Sequence, residues 1–233
     1  MGTASGPILI VDAGHGIGPY LASLLGERGF DVVAWASAER VGLHEQAPSV
    51  RWLYDTSTET LDADLLTSAT AVVFNVSALD EAALMGRGEL ADAVAADGAF
   101  FMQTLQVVSR AMIERGHGQI WVLAADDSFA YYLQLPVAPI THHTRIGAIR
   151  AIAKELARFG VSANAAVLQP APETILPEDW QQARAGVGSY AQKFKPVPLA
   201  LVADTLAFWI GRGTLPMNGS VAHFGNGVYD GNI

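Results

Sequence analysis

The stretch from Pro7 to Gly29 constrains the fold more than any other part of the chain. Ile8, Leu9, Ile10 and Val11 form a short apolar run of the kind shown by a strand buried on both faces. Gly14, Gly16 and Gly18 follow at once, and then Tyr20, Leu21, Leu24 and Leu25 recur at helical spacing, with Gly29 as a stop. Strand, glycine turn and helix in this order make the phosphate-binding unit of a dinucleotide fold. The glycines let the backbone turn tightly beside a pyrophosphate, and the helix N-terminus offers free N–H groups and a partial positive charge. A second strand, Asp31 to Trp35, follows the helix and supports the pattern. Asp12 departs from it, because a carboxylate at the closest approach to phosphate adds bulk and repels an anion.

The rest of the chain continues the alternation. Strands are expected at Val50 to Tyr54, closed by Asp55, and at Ala69 to Val76, Gln119 to Ala125, Ser162 to Leu168 and Ser220 to Gly225. Helices are expected at Leu61 to Leu66, Glu89 to Gly116, Thr141 to Phe159 and Leu199 to Arg212. Ser37 to Val50 is short for a crossover helix, Ala82 to Gly88 reads as a loop, and Pro170 to Lys195 as an excursion over the site. The expected architecture is one Rossmann-like domain over residues 1–233, a three-layer α/β/α sandwich on a parallel sheet of about seven strands with right-handed crossovers.

Composition narrows the function classes. Hydrophobic residues make up 51% and charged residues 16%, which suits helices on both faces of a buried sheet and leaves apolar surface for subunit contacts. A net charge of −9 argues against nucleic acid as a partner. The absence of cysteine excludes thiolate chemistry, disulfides and zinc–sulfur sites. No apolar run is long enough to span a membrane and the N-terminus has no basic region of the signal-peptide type, so the expected location is the cytoplasm.

In the order of these pieces the chain resembles the classical short-chain dehydrogenase/reductase family over nearly its whole length. The matching residues are GHGIG at Gly14 to Gly18, Asp55 after the third strand, Asn75 in FNVS, and RAMIERGHGQIWVL at Arg110 to Leu123. AKELARFGVSANAAVLQP at Ala153 to Pro170 is the most specific match, and MNGSVAHFGNG at Met217 to Gly227 resembles the closing strand. The resemblance implies cofactor contacts at Gly14, Gly16, Ile17, Gly18, Asp55 and Asn75. It also implies hydride transfer to a nicotinamide, with a tyrosine exchanging the alcohol proton and a lysine, a serine and an asparagine in support.

None of those four groups is present. Laid against the family without gaps, the tyrosine position falls on Ala138 and the lysine position on His142; the serine position falls on Ala125 and the asparagine position on Ala95. The first glycine of the turn is Asp12, and the glycine after Pro170 is Ala171. A shifted alignment does not help. Arg150, Ser189 and Ala191 stand four residues before Lys154, Lys193 and Lys195, so no Tyr-x-x-x-Lys exists in the chain. Alanine has no proton to give, and general acid–base catalysis of this type needs a titrating group.

Other residues suggest alternatives. His142 and His143, with Asp126 and Asp127, are candidates for a His–carboxylate pair serving a non-redox reaction, and equally for polar filler around a disused site. His15 faces phosphate or solvent; Ser128 lies three residues beyond the lost serine; Tyr131 and Tyr132 read as an aromatic lid or contact. Arg40 reads as a solvated loop residue, and the second strand lacks the acid an NAD ribose usually meets.

The expectation is a catalytically inactive subunit of this fold, with no catalytic residues, no metal site and no cofactor of its own; any residual affinity would be for NAD(H) or NADP(H). Its expected partner is a catalytic paralogue, as in family heteromers with one silent subunit, or a second copy of itself. Contact is expected through the helices at 89–116 and 141–159, with Ala148 or Ile149 in the interface. The alternatives are an enzyme of altered chemistry using His142 and Asp127, and a divergent NAD(P)-dependent oxidoreductase.

Overall fold

The structure is a computed structural model and describes residues 6–37, 48–55, 63–132, 135–171, 173, 196–213 and 215–225. Its strands are β1 (Ile8–Val11), β2 (Val32–Ser37), β3 (Val50–Asp55), β4 (Ala71–Phe74), β5 (Gly118–Ala125), β6 (Val161–Leu168) and β7 (Val221–Phe224). Its helices are α1 (Gly18–Glu27), α2 (Ala63–Ser68), α3 (Glu81–Arg87), α4 (Leu90–Arg115), α5 (Asp127–Tyr132), α6 (Pro139–Ala157) and α7 (Leu199–Gly211). The seven strands form one sheet in the order β3-β2-β1-β4-β5-β6-β7, parallel at every pairing. The expected Rossmann-like three-layer architecture is the one observed.

The inner strands bury both faces, so the apolar residues of β1, β2 and β4 run without alternation, whereas β3 and β7 at the sheet edges are partly exposed. Ile8, Ile10, Trp121 and Leu123 point to the layer of α1 and α7, where Leu21, Leu25 and Leu206 meet them. Leu9, Val11, Val72 and Ile120 point to the other layer, where Phe101, Leu105, Met112 and Ile149 close over them. Trp121 in the sheet stacks on Trp209 of α7 at 5.7 Å.

Two expectations fail locally. Ala82 to Gly88 is helix rather than loop: Asp80 accepts the Ala83 N–H through Oδ1 at 3.1 Å, and Gly88 ends the helix in the left-handed region at φ 75°. The cap governs a stretch that has no apolar stripe. The helix at 141–159 begins earlier, at Pro139, whose ring suits a first turn that needs no N–H from it. Ser37 to Val50 and Pro170 to Lys195 lie largely outside the described residues.

The chain builds β1 to β3 outward on one side, then returns to add β4 on the other side of β1. The point of reversal, at the carboxyl ends of β1 and β4, is where folds of this type open a crevice. Glycine turn, Asn75 and the start of α6 all converge there.

Candidate functional site

The glycine turn keeps the backbone shape its sequence implies, but with an unexpected residue in it. Asp12 has φ +59° and is the one non-glycine residue in the left-handed region among those described. Gly16 has φ +55°, and a Cβ on Gly18 would stand 2.5 Å from the Ala13 carbonyl oxygen. Gly14 has no positive φ, while Ile17 precedes α1 and is packed in the core. The turn is laced from outside. Asn75 donates through Nδ2 to the carbonyls of Asp12 and His15, both at 2.9 Å. His15 donates through Nε2 to the Val76 carbonyl at 2.8 Å, and its Nδ1 lies 3.6 Å from Asp12. Thus Asn75 braces the turn itself, and the His15 ring is tied through Nε2 to the next loop. Asp55 closes β3 opposite Ser37.

A left-handed residue other than glycine stores about 1 kcal/mol of strain, and aspartate bears it better than most. Asp12→Gly is therefore expected to hold or raise stability. Asp12→Ala keeps the strain, loses the polar side chain, and is expected to lower stability by about 1 kcal/mol. Urea midpoints of the two variants check this.

Ala138, the residue that the resemblance sets against a tyrosine, is 1% exposed and precedes the first residue of α6. Its N–H donates to Asp127 Oδ1 at 2.8 Å. The other oxygen of Asp127 is 2.7 Å from His142 Nδ1, and the Ser77 N–H donates to His142 Nε2 at 3.2 Å. Partners fix the tautomer: a carboxylate demands a proton on Nδ1, and an N–H demands a lone pair on Nε2. The suggested His–carboxylate pair thus exists between His142 and Asp127, but both ring nitrogens are occupied and the ring is 2% exposed. Asp126 is not in it; it accepts from Gln169 at 3.4 Å. His143 lies on the surface and donates to the Pro139 carbonyl. Ala125 is half-buried, Ala95 exposed on α4, Ala171 buried, and Tyr131 70% exposed.

Two charged groups that no motif indicated complete the site. Glu81, 3% exposed, accepts the N–H groups of Ile140 and Thr141, both at 2.9 Å. A carboxylate here meets the positive end of α6. The sequence carries a signal for it: α6 opens with Ala138, Pro139 and Ile140, none of which can cap, so an acceptor must come from elsewhere. Arg145, 6% exposed, pairs with Asp97 at 2.6 Å, donates to the Asn75 carbonyl at 3.0 Å and lies over the Phe101 ring. This ties α6 to α4 beneath the crevice.

Beside these groups the crevice narrows to a cavity of about 340 Å³, whose walls include Asp12, Trp35, Asn75, Asp97, Phe100 and Arg145. Ala125, Ala138 and His142 do not line it. Among the described residues no cluster of three metal-binding side chains occurs, and no helix is long and apolar enough to cross a membrane.

No family model and no curated protein matches the chain. Solved structures do. One described as a dehalogenation enzyme is 20% identical, with a TM-score of 0.72 over 94% of this chain and 96% of its own. A variant of actinorhodin polyketide ketoreductase with NADPH is 18% identical, with a TM-score of 0.68 over 97% and 98%. A candidate NAD(P)-dependent gluconate 5-dehydrogenase from Beutenbergia cavernae, with NADP bound, is 19% identical, with a TM-score of 0.71 over 94% and 95%. These likenesses establish the fold, a Rossmann-like α/β architecture with a seven-stranded parallel sheet flanked by helices, as the sequence led one to expect.

Proposed function

We propose that the chain is a catalytically silent subunit of the short-chain dehydrogenase/reductase type, supporting an active oxidoreductase paralogue. One observation carries the reading. At the position of the proton donor stands a buried alanine, and the polar groups around it, Asp127 and His142, are spent on each other and on backbone N–H groups. A centre built this way holds its elements together and has no proton to exchange with a ligand. The neighbours' NADP(H) is not expected here, because the Asp12 carboxylate borders the turn where a pyrophosphate would rest.

The partner surface supported best is the outer face of α4 and α6. A groove of about 680 Å³ runs between them, lined by Met102, Gln106, Ile113, Ile152 and Glu155 among others. Met102 is 49% exposed and Val107 38%, an apolar face that a second subunit would cover.

The altered-enzyme reading draws on the 2.7 Å His142–Asp127 contact, but it requires the Ser77 N–H to leave His142 first. The divergent-oxidoreductase reading lacks a donor. Co-purification from the native host with mass identification is the test. Recovery of a paralogue with an intact Tyr-x-x-x-Lys is the expected result. Calorimetry on the isolated chain should give no NAD(H) or NADP(H) dissociation constant below about 100 μM. A low-micromolar constant, or a monodisperse monomer with no partner in native extract, overturns the reading.

A further inference from the structure

The peptide unit joining Val76 to Ser77, in the loop between β4 and α3, is held between two imidazoles. His15 Nε2 donates to its carbonyl at 2.8 Å, and its N–H donates to His142 Nε2 at 3.2 Å. The hydrogen bonds continue with one polarity through the His142 ring to Asp127 at 2.7 Å, whose second oxygen accepts the Ala138 N–H at 2.8 Å. The join between loop and helix in this chain is the lone pair of His142 Nε2. A proton added there turns the acceptor into a donor that faces the Ser77 N–H.

One of the two partners of the ring must then yield. The Asp127 contact is the shorter and becomes charge-assisted once the imidazole carries a proton, whereas the Ser77 contact is longer and made by a neutral N–H. Turning the ring instead would break the Asp127 contact at a place that is 2% exposed. The loop therefore leaves and the ring stays. The other charged groups on the surrounding elements are engaged elsewhere. Asp80 and Glu81 accept backbone N–H groups, Arg145 pairs with Asp97 of α4 at 2.6 Å, Asp126 accepts from Gln169, and His143 is exposed.

At the carbonyl end of the same peptide the effect of a proton is reversed. His15 Nδ1 lies 3.6 Å from Asp12. A proton on Nδ1 leaves the Nε2–H donor in place and adds a charge that strengthens it.

We infer that the β4–α3 loop is an acid-release device: one proton on His142 frees the Val76–Ser77 peptide from the ring, and His15 opposes that release from the other end. The released state binds one proton more than the held state, so the hold is present at neutral pH and is lost as pH falls. The device needs neither a substrate nor a partner subunit and is independent of the silent-subunit reading.

Two-dimensional NMR of the full chain between about pH 8 and about pH 5.5, with imidazole nitrogen correlations and amide hydrogen exchange, tests it. At the upper end His142 is expected as the Nδ1–H tautomer and His15 with its proton on Nε2. As pH falls, the protection of the Ser77 amide is expected to drop about tenfold per pH unit, the slope of one proton, in step with proton uptake at His142. The amide of Val122, in the core of β5, is expected to keep its protection throughout. His15→Ala removes the opposing contact and is expected to move the release to higher pH by about half a unit to one unit, the worth of one hydrogen bond. Proton uptake at His142 with Ser77 protection unchanged overturns the inference, as does a His142 that stays neutral until Val122 loses its protection. A release pH that is unmoved or lower in His15→Ala overturns it too.

Discussion

Ile149→Asp is expected to unfold the subunit. Ile149 is fully buried against the sheet, in the core cluster that holds Phe101, Leu105 and Val122. The substitution removes a large aliphatic side chain, costing about 2–5 kcal/mol, and adds an unpaired buried carboxylate. Together these approach the whole stability of an ordinary domain, about 5–15 kcal/mol. The expected observation is insoluble protein, or loss of the cooperative thermal transition. This corrects the placing of Ile149 in a subunit interface. The apolar residues of α6 follow a helical spacing, but spacing does not say which side of a two-sided stripe meets the sheet. Met102→Asp on the outer face of α4 is the proper probe of assembly. It should leave the circular dichroism spectrum and the melting temperature near those of the parent, and shift the species seen by light scattering to monomer.

Asp127→Ala should lower stability by about 3–5 kcal/mol, because it leaves the His142 Nδ1–H and the Ala138 N–H buried without acceptors. For a chain of this length that corresponds to a fall of roughly 10 °C in melting temperature. Asp127→Asn is the more telling variant. An amide offers one oxygen where the carboxylate offers two. Whichever way it turns, its NH₂ meets a donor, either the Ala138 N–H or the His142 Nδ1–H. If the imidazole changes tautomer instead, its new Nε2–H meets the Ser77 N–H. The cost should be about 1–3 kcal/mol. A residue acting as a catalytic base would lose rate on such a change and keep its stability. Undiminished urea midpoints in both variants would return the altered-enzyme reading to favour.

The sequence held the sheet and most of the helices in plain view. Ile8 to Val11, Ala71 to Phe74 and Ile120 to Leu123 are apolar without interruption, as strands covered on both faces must be. The failure of α3 to show itself has a physical source. It is only seven residues long and is set by the Asp80 cap and the Gly88 stop rather than by an apolar stripe. Within the site, the sequence showed Ala138, His142, Ala125 and Ala95 where the resemblance would place a tyrosine, a lysine, a serine and an asparagine. What replaced them was legible only in part. His142 and Asp127 could be paired from their places at the ends of α6 and β5. The Ser77 N–H that completes the network, and Glu81 beneath α6, are contacts between segments about 60 residues apart, and local pattern carries no information on them.

Glu81 has a consequence for motion. The first turn of α6 has no cap from its own sequence, and the N–H groups there that lack helical partners are satisfied by a side chain on α3 and by Asp127 from α5. That turn therefore does not fray by itself as a free helix end does. Releasing it is expected to require α3 to lift, and with it the β4–α3 loop whose Ser77 N–H meets His142. Three segments distant in the chain are thus expected to open as one cooperative unit at the mouth of the crevice, which amide hydrogen exchange of Ser77, Ile140 and Thr141 would show as a common protection.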